Sequence, residues 1–386
     1  MTTDEQAAPP DRENGGSSPH RASGTRPLRP SATPPRPSVT PPDSAVLRTG
    51  ALSWLFPRRS LLLALCLGPV LLGVVCLAVL ASSTGMSAGE SLRGLFGTGD
   101  AAGVMVVREF RLPRIVVGLL VGAALGVAGC LTQTLAGNRL ATPDLVGVNE
   151  GATAAVVASV AGSTTGMLGA WWLGPLGAAA AAALVVLCAG GAGAAGYRLL
   201  VTGIGVSTFV GAVSDLVMSR QNQATAGGVF LWTVGSLNGR DWAVGGPLLV
   251  LLAVLLPLAL AAGHRLQLLR FDDDTATALG ADPRRVRAAA LGVAVGLAGV
   301  AVGVGGPIGF VALAAPVLAS RLAGPTRVPV TGAALTGASL VAAADALGRV
   351  VAPVEIPAGV VTSVLGGPFL LWVLLRQDRG RTSGKA

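Results

Sequence analysis

The sequence has few of the residues on which catalytic and metal sites usually depend. Its 386 residues include only two histidines, His20 and His264, and a single tyrosine. The four cysteines lie singly in apolar runs, without the CxxC spacing of a metal or redox site. A catalytic triad or a clustered metal centre needs more histidine or cysteine than this. The GxxxxGK[ST] phosphate loop is also missing. We therefore expect neither an enzyme nor a protein with a resident metal or cofactor.

Charge is scarce as well. Charged residues make up 12% of the chain, compared with about 25% in soluble domains. Hydrophobic residues make up 52% of the chain, and 55 residues are glycine, a type that lets membrane helices pack closely. Mean hydropathy is +0.67. The net charge of +9 comes from arginines in tails and loops, which suits lipid headgroups rather than nucleic acid. We predict an all-α, polytopic helical membrane protein.

The apolar segments divide the chain into three parts. Residues 1–57, rich in Pro, Ser, Thr and Arg, are predicted to be disordered. Residues 58–376 form the predicted transmembrane domain, and 377–386 a short tail. About ten segments approach the ~20 residues that cross a bilayer. These are 60–81, 114–136, 146–163, 171–190, 197–219, 245–263, 286–305, 308–323, 330–350 and 357–376. Arg58 and Arg59 precede the first span, so the positive-inside rule places both termini in the cytoplasm.

The longest polar interruption after residue 60 is HRLQLLRFDDDTATALGADPRRVR, residues 264–287. Hydrocarbon does not hold so many charges, so this loop faces water. Asp273 or Asp274 can cap a short helix that ends at Gly280, and Asp282 with Pro283 opens another. A folded cationic loop can dock a partner protein. The alternative is a positive-inside anchor without a partner.

Arginine also occurs on the predicted outer side, where the positive-inside rule disfavours it. Arg111 and Arg114 flank the start of the second span. Either an acidic external partner docks on them, or they snorkel to lipid headgroups. Late in the ninth span, Asp345 and Arg349 are spaced i,i+4 and can pair near the same outer edge. Asp215, in the fifth span, is the other candidate intramembrane acid.

Two further features are typical of a transport pathway. Gln133 is polar near the inner end of the second span, where it either lines a pathway or bonds a neighbouring helix. The stretch GVGGPIGF, residues 303–310, is a predicted helix break because Pro307 lacks a backbone N–H. Such breaks mark gates in transporters, or simply tight packing bends. The pathway or gate candidates are Gln133, Asn138, Gly306, Pro307, Gly309 and Phe310.

Several motifs, in order, carry a family resemblance. They are RLPR (111–114), GAALGVAGCLTQTLAGNRLATPDLVGVNEGA (122–152), LLVTGIGVS (199–207), WTVGSLNGRDW (232–242), ATALGADPRRVR (276–287), GPIGFVALAAPVLASRLAG (306–324), ADALGR (344–349) and EIPAGVVTSVLGGPFLLWVL (355–374). Together they resemble the permease subunits of iron-siderophore and vitamin B12 ABC importers, the FecCD-type family. The resemblance extends over residues 60–376.

The resemblance implies ten helices, a permease dimer with the pathway at its interface, two cytoplasmic ATPases and an external substrate-binding protein in a bacterial cell membrane. It implies that Arg111, Arg114 and Arg349 bind acidic residues of the binding protein. It assigns ATPase coupling to the loop before the seventh helix. The matching positions are Ala276, Ala278, Leu279, Gly280, Ala281, Asp282, Arg284 and Arg285.

The sequence departs from the family pattern at two places. The usual NPLA reads Asn138-Arg139-Leu140-Ala141 here, and PHxxR or PQxAR reads PVLAS from Pro316, with Arg321 next. The forms LAAP…RLxG and GSLNGRxW are similar to subunits that pair with a different permease, so a heterodimer is favoured. Ferric siderophore is the expected cargo, with vitamin B12 or haem as alternatives. The rival mechanisms are an ion-coupled secondary transporter, using Asp215 and Asp345, and a membrane scaffold without transport.

Overall fold

The architecture comes from a computed structural model of the full chain. It describes residues 44–49, 52–80, 86–161, 171–191, 196–221, 227, 229–230, 232–271, 273–323, 328–352 and 354–382. Within these ranges, side chains are described from residue 65 to 375, except at 161, 196, 197 and 374. The greater part of the predicted N-terminal tail, residues 1–43, lies outside the described residues.

Helices dominate the described chain, as the composition predicts. The helices are α1 (Arg58–Leu80), α2 (Ala88–Phe96), α3 (Ala101–Met105), α4 (Leu112–Ala136), α5 (Val148–Ala161), α6 (Leu173–Cys188), α7 (Gly196–Ser219), α8 (Trp242–Leu266), α9 (Asp273–Ala278), α10 (Pro283–Gly305), α11 (Gly309–Ala323), α12 (Val330–Val350) and α13 (Ala358–Thr382). A π-helical turn, Val106–Arg111, joins α3 to α4.

A small β-hairpin precedes the first helix and corrects one prediction. Strands β1 (Ser44–Thr49) and β2 (Leu52–Pro57) pair antiparallel, with Ser44 opposite Pro57 and Thr49 opposite Leu52. The prediction of disorder through residue 57 is therefore wrong for this stretch. The reason is local composition: SAVLRT and LSWLFP are much richer in β-branched and large apolar residues than the Pro-rich segment before them.

Each of the ten predicted spans coincides with a helix, although the number of membrane crossings stays a prediction. Among the described residues, five helices are long and apolar enough to cross a membrane by length and composition. They are Ala101–Ala136, Arg198–Ser219, Trp242–Arg270, Pro283–Gly305 and Val330–Val350. Four shorter apolar helices accompany them. The predicted break in GVGGPIGF is confirmed, because α10 ends at Gly305 and α11 begins at Gly309.

The second span begins earlier than its sequence predicts. The expected start was residue 114, but the helical run continues back through the π-turn to Ala101. Ahead of it, α2 begins with a capping box: the Ser87 hydroxyl accepts from the Glu90 N–H, and the Glu90 carboxylate accepts from the Ser87 N–H. The segment between the first two predicted spans is therefore largely helical from Ala88 onward.

A stripe of small residues sets the register between α4 and α12. The two helices run antiparallel, and a Cβ added at Gly122 would overlap the Gly337 carbonyl, while one at Gly126 would overlap the Ala333 carbonyl. Such backbone contact is the membrane form of small-residue packing. Facing pairs, one helical turn apart, are Arg114–Asp345, Gly118–Val341, Gly122–Gly337 and Gly126–Ala333. On another face of α4, a Cβ added at Gly129 would overlap the Ala312 carbonyl of α11.

The antiparallel packing separates two chemically different ends of the bundle. The clasp end contains the C-terminal ends of α1 and α12 and the N-terminal end of α4, which share side-chain hydrogen bonds. The basic end contains the C-terminal ends of α4, α8 and α11 and the N-terminal end of α10, which line one cavity. Between them lies a continuous apolar core to which α4 and α10 contribute the largest shares of the buried residues.

We predict that Gly122→Ala destabilises the protein while Gly292→Ala does not. The first Cβ meets the α12 backbone, and such overpacking costs about 1–3 kcal/mol. A Cβ added at Gly292 meets nothing within 4 Å. Gly292 lies on the exposed face of α10, where alanine is a better helix former than glycine. Thermal unfolding in detergent measures both. Equal melting temperatures for the two variants would contradict the close α4–α12 contact.

Candidate functional site

The three arginines that are predicted to bind an external partner lie together at the clasp end, beside two carboxylates. We call this group the arginine clasp: Arg111, Arg114, Arg349, Asp345 and Glu355. Arg114 Nη2 lies 2.9 Å from Asp345 Oδ1, and its Nη1 lies 2.8 Å from Glu355 Oε2. Arg349 Nε lies 3.3 Å from Asp345 Oδ2, so the predicted i,i+4 pair is confirmed. One carboxylate therefore forms ion pairs with two guanidinium groups on different helices.

The other two clasp arginines bind the end of α1. Arg111 Nη1 donates to the Val79 carbonyl at 2.8 Å and to Ser91 Oγ at 3.0 Å. Arg349 Nη2 donates to the Ala78 carbonyl at 3.1 Å. The last carbonyls of a helix have no intrahelical partner, and cations near that end also suit the helix dipole. The two arginines therefore cap α1 and fix it against α4 and α12.

Burial distinguishes the members of the clasp. Arg111 and Arg349 are only 7% and 6% exposed, and Asp345 is 3% exposed. The Arg114 side chain is 12% exposed and that of Glu355 is 37% exposed. Sequence analysis placed all three arginines at one edge and paired Arg349 with Asp345. It missed the link from Arg114 to Asp345 and the role of Glu355, because neither follows from spacing along one helix.

The predicted coupling loop folds as its capping residues indicate. Helix α9 ends before Gly280, whose φ of +83° is the left-handed conformation that glycine favours. Asp282 then caps α10, accepting from the backbone N–H groups of Arg284 and Arg285 at 3.0 and 3.2 Å. The predicted helix end before Gly280 and the predicted cap at Asp282 are confirmed, whereas Asp273 and Asp274 lie in the first turn of α9 rather than before it.

An ion pair that the sequence analysis missed holds the loop together. Arg287 binds both oxygens of Asp273, at 2.8 and 3.1 Å, and so ties α9 to α10. Ala276 is fully buried, whereas Leu279 is 58% exposed and Arg284 and Arg285 are exposed. The loop therefore presents a rigid face with an apolar residue and two cations at its surface.

The helix break between α10 and α11 is tightly packed. Gly306 adopts a φ of +74°, and a Cβ there would overlap the Trp232 carbonyl. Gly359, at the start of α13, donates its N–H to the Gly235 carbonyl at 2.8 Å. The predicted gate residues Gly306 and Pro307 thus lie where the 232–235 turn, the break and α13 converge, with no room for larger side chains.

Beyond the break, the candidate Phe310 contacts α13. Its ring packs edge-on against Phe369, with centroids 5.4 Å apart, and lies against Gly366. Gly309, the remaining candidate, lies beside the Asp144 carboxylate. Phe310 therefore ties α11 to α13, whereas Gly309 lies against the segment between α4 and α5.

Gln133 and Asn138 lie at the basic end and line a cavity of about 660 Å³. Gln133 donates its side-chain amide to the Leu313 carbonyl of α11 at 3.0 Å, so it bonds a neighbouring helix. Asn138 accepts the backbone N–H of Leu140 at 2.9 Å and shapes the turn after α4. Among the residues that the structure describes, no group of three His, Cys, Asp or Glu side chains could hold a metal ion.

Comparison with known proteins identifies the class of transporter. The family model described as the FecCD transport family matches residues 70–376. The chain belongs to the FecCD transport family. It is therefore a transport permease of the ABC importer type, a multi-pass membrane protein and not an enzyme.

Curated relatives cover most of both chains. The chain is 37% identical to the ferric enterobactin transport system permease protein FepG of Escherichia coli (strain K12), over 74% of this chain and 87% of FepG. It is 35% identical to the achromobactin transport system permease protein CbrC of Dickeya dadantii (strain 3937), over 79% and 90%. It is 33% identical to the hemin transport system permease protein HmuU of Yersinia pestis, over 82% and 97%.

A solved structure supports the same fold. A metal-chelate type ABC transporter in an inward-facing conformation matches 82% of this chain and 99% of its own, with a TM-score of 0.70 and 24% sequence identity. The helical architecture of this FecCD permease is therefore one already seen in an ABC transporter.

We predict that Asp345→Asn destabilises the permease far more than Glu355→Gln. Losing the buried carboxylate leaves two arginines without their shared counter-charge, which costs about 3–5 kcal/mol. Glu355 is partly exposed, so removing its charge costs about 1 kcal/mol or less. Thermal unfolding of the purified variants in detergent compares them. A smaller loss for Asp345→Asn than for Glu355→Gln would show that Asp345 does not organise the clasp.

Proposed function

We propose that this permease carries a ferric siderophore into a bacterial cell. In this proposal a separate ATPase drives transport, and an external substrate-binding protein delivers the cargo. The observation that carries it is the match over residues 70–376 together with relatives named for ferric enterobactin and achromobactin transport. One relative is named for hemin transport, so haem is the alternative cargo that a specific observation supports.

A direct binding assay decides between these cargoes. The partner binding protein is titrated with a ferric siderophore, with haem and with cobalamin, and uptake is then measured in proteoliposomes containing the whole importer. We expect submicromolar binding and ATP-dependent uptake of the siderophore alone. Selective binding and uptake of haem or cobalamin would replace the siderophore assignment while leaving the permease role intact.

The proposed orientation places the clasp outside and the basic end in the cytoplasm. Charge supports it, because the basic end carries the arginines of the coupling loop and the turn after α4. At the clasp, Arg114 is bonded to Asp345 and to the half-exposed Glu355. A carboxylate of the binding protein could displace Glu355 from Arg114 without disturbing the buried Asp345–Arg349 pair. We therefore assign docking chiefly to Arg114, with Arg111 and Arg349 as supports.

The docking assignment predicts the behaviour of Arg114→Gln combined with Glu355→Gln. This pair removes one charge of each sign and leaves Asp345 bound to Arg349, so the fold should survive. We expect affinity for the binding protein to fall about tenfold or more, since a charge-assisted hydrogen bond contributes about 1.5–3 kcal/mol. The readout is surface-immobilised binding to the permease in nanodiscs.

Glu355→Gln alone is the matched control for that experiment. It frees the outer side of Arg114 and should leave affinity unchanged or increase it. A double variant that stays folded at the temperature of the binding assay and binds with wild-type affinity would remove Arg114 from the docking surface.

The coupling role proposed for residues 276–285 rests on the rigid, exposed face of this loop. Gly280→Val should reduce cargo moved per ATP hydrolysed, because a left-handed φ strains any other residue by about 1–2 kcal/mol and shifts Leu279. Gly239→Val is the control, since Gly239 has a similar φ of +71° and equally open surroundings away from the loop. Transport and ATPase rates in proteoliposomes give the ratio. An equal drop in the amount of cargo moved per ATP hydrolysed in both variants would argue against this loop as the coupling element.

A second permease subunit, favoured here as a different chain, is proposed to cover α7 and α13. Both helices expose large apolar side chains, among them Phe209, Leu216 and Val364. Asp215 is also exposed on α7, and an acid facing hydrocarbon is costly. A partner subunit with a water-filled pathway between the two copies would remove that cost.

The ion-coupled rival needs an acid that exchanges protons on the pathway. Asp345 does not fit that role well, because both of its oxygens already bind arginines. Asp215 is the remaining candidate. Asp215→Asn should preserve ATP-dependent uptake. Uptake driven by an ion gradient without the ATPase, and lost in Asp215→Asn, would favour the rival instead.

A further inference from the structure

The cavity at the basic end is lined by four arginines and no carboxylate. Among the residues described there, the arginines are Arg139, Arg270, Arg287 and Arg321. Its volume of about 660 Å³ falls within the range of about 300–1,000 Å³ that is typical of small-ligand sites. The lining comes from α4, α8, α10, α11 and adjoining segments, and not from α7 or α13. The cavity includes the pathway candidates Gln133 and Asn138, but it takes no lining from the faces of α7 and α13 that are proposed to meet the second subunit.

Two of these arginines are already committed to other groups, and two are available. Arg287 binds Asp273, and Arg270 has an interaction within the chain. Within the described residues, Arg139 takes part in no hydrogen bond or ion pair, and its side chain is exposed. Arg321 lies over the Trp372 ring at 4.1 Å. That stacking uses the face of the guanidinium and leaves its N–H edges free to donate to an anion.

The depth of the cavity distinguishes a lipid from a soluble protein partner. Its lining reaches up to buried Cys130 on α4, six residues before the helix ends at Ala136, which is about 9 Å at 1.5 Å per residue. Trp372 beside Arg321 is partly exposed, and tryptophan and arginine together are typical of the membrane–water interface. The cavity thus lies at headgroup level and extends toward the hydrocarbon.

We propose that this cavity binds the phosphate group of an anionic membrane phospholipid, with Arg139 and Arg321 as its principal ligands. The planar guanidinium matches phosphate geometry through paired hydrogen bonds, and basic pockets between membrane helices are suited to lipid headgroups. The apolar wall, including Leu135 and Leu266, faces the start of the acyl chains. The inference goes beyond the transport function and does not depend on the cargo.

The site predicts a specific lipid retention. The full-length permease is purified in mild detergent, delipidated, and titrated with phosphatidylglycerol or phosphatidylcholine, and bound lipid is counted by native mass spectrometry. We expect phosphatidylglycerol to bind at least about tenfold more tightly. Arg139→Gln combined with Arg321→Gln should abolish that preference. Neither side chain is buried, so the melting temperature should change little.

Matched controls separate the possible outcomes. Arg93→Gln combined with Arg220→Gln removes two exposed arginines outside the cavity and should keep the preference. The proposed site would be overturned if both double variants lost the preference for phosphatidylglycerol equally. It would also be overturned if Arg139→Gln/Arg321→Gln kept that preference. Displacement of bound phosphatidylglycerol by millimolar inorganic phosphate would show a soluble phosphate site rather than a lipid site. Weaker ATPase binding with unchanged lipid retention in Arg139→Gln/Arg321→Gln would show that the motor protein fills the cavity instead.

Discussion

The backbone contact between α4 and α12 is the constraint on which the rest of the structure depends. Gly122, Gly126 and Gly337 bring the two helices so close that a Cβ at any of the three would overlap a carbonyl group of the facing helix. In a bilayer, where apolar side chains gain nothing by leaving lipid, this close packing is the main source of helix association. It also fixes the antiparallel register, and the register ends on Arg114 opposite Asp345.

From that pairing follow the two different ends of the permease. At the clasp end, buried charges are tolerated because each has a partner: Asp345 has two arginines, and two arginines cap the last carbonyls of α1. At the basic end, charges are exposed and several have no carboxylate beside them. Shared carboxylates at the clasp end and an excess of exposed arginine at the basic end are consistent with the proposal of a delivery protein at one end and lipid or a motor at the other.

The sequence predicts much of this fold because a helix that crosses a membrane needs a long apolar run, which is visible in the sequence. The ten predicted spans match helices, and Gly280, Asp282 and Pro307 mark ends and breaks where the structure has them. Two misses have physical reasons. The apolar segments SAVLRT and LSWLFP form a hairpin next to the Pro-rich tail. The helix of the second span extends back through a π-turn whose charged residues, Arg108, Glu109 and Arg111, do not resemble a membrane span in the sequence.

Contacts between helices were largely beyond sequence reasoning. The i,i+4 spacing revealed Asp345–Arg349, but Arg114–Asp345 and Arg287–Asp273 join residues far apart in the chain or on different helices. The four-residue spacing of Gly118, Gly122 and Gly126 does not by itself say which helix packs against them. Once Gly337 is known to face Gly122, the pairing of Asp345 with Arg114 follows, because each lies eight residues, about two turns, from its glycine.

A double-mutant cycle on Arg114 and Asp345 tests most directly whether the register between α4 and α12 brings these two residues together. Unfolding free energies of Arg114→Gln, Asp345→Asn and the combined variant would be compared in the same detergent. The account predicts a coupling energy of about 1 kcal/mol or more, with the combined variant more stable than Asp345→Asn plus Arg114→Gln would give additively. Additivity within about 0.5 kcal/mol would mean that the two residues do not meet, and that the proposed register is wrong.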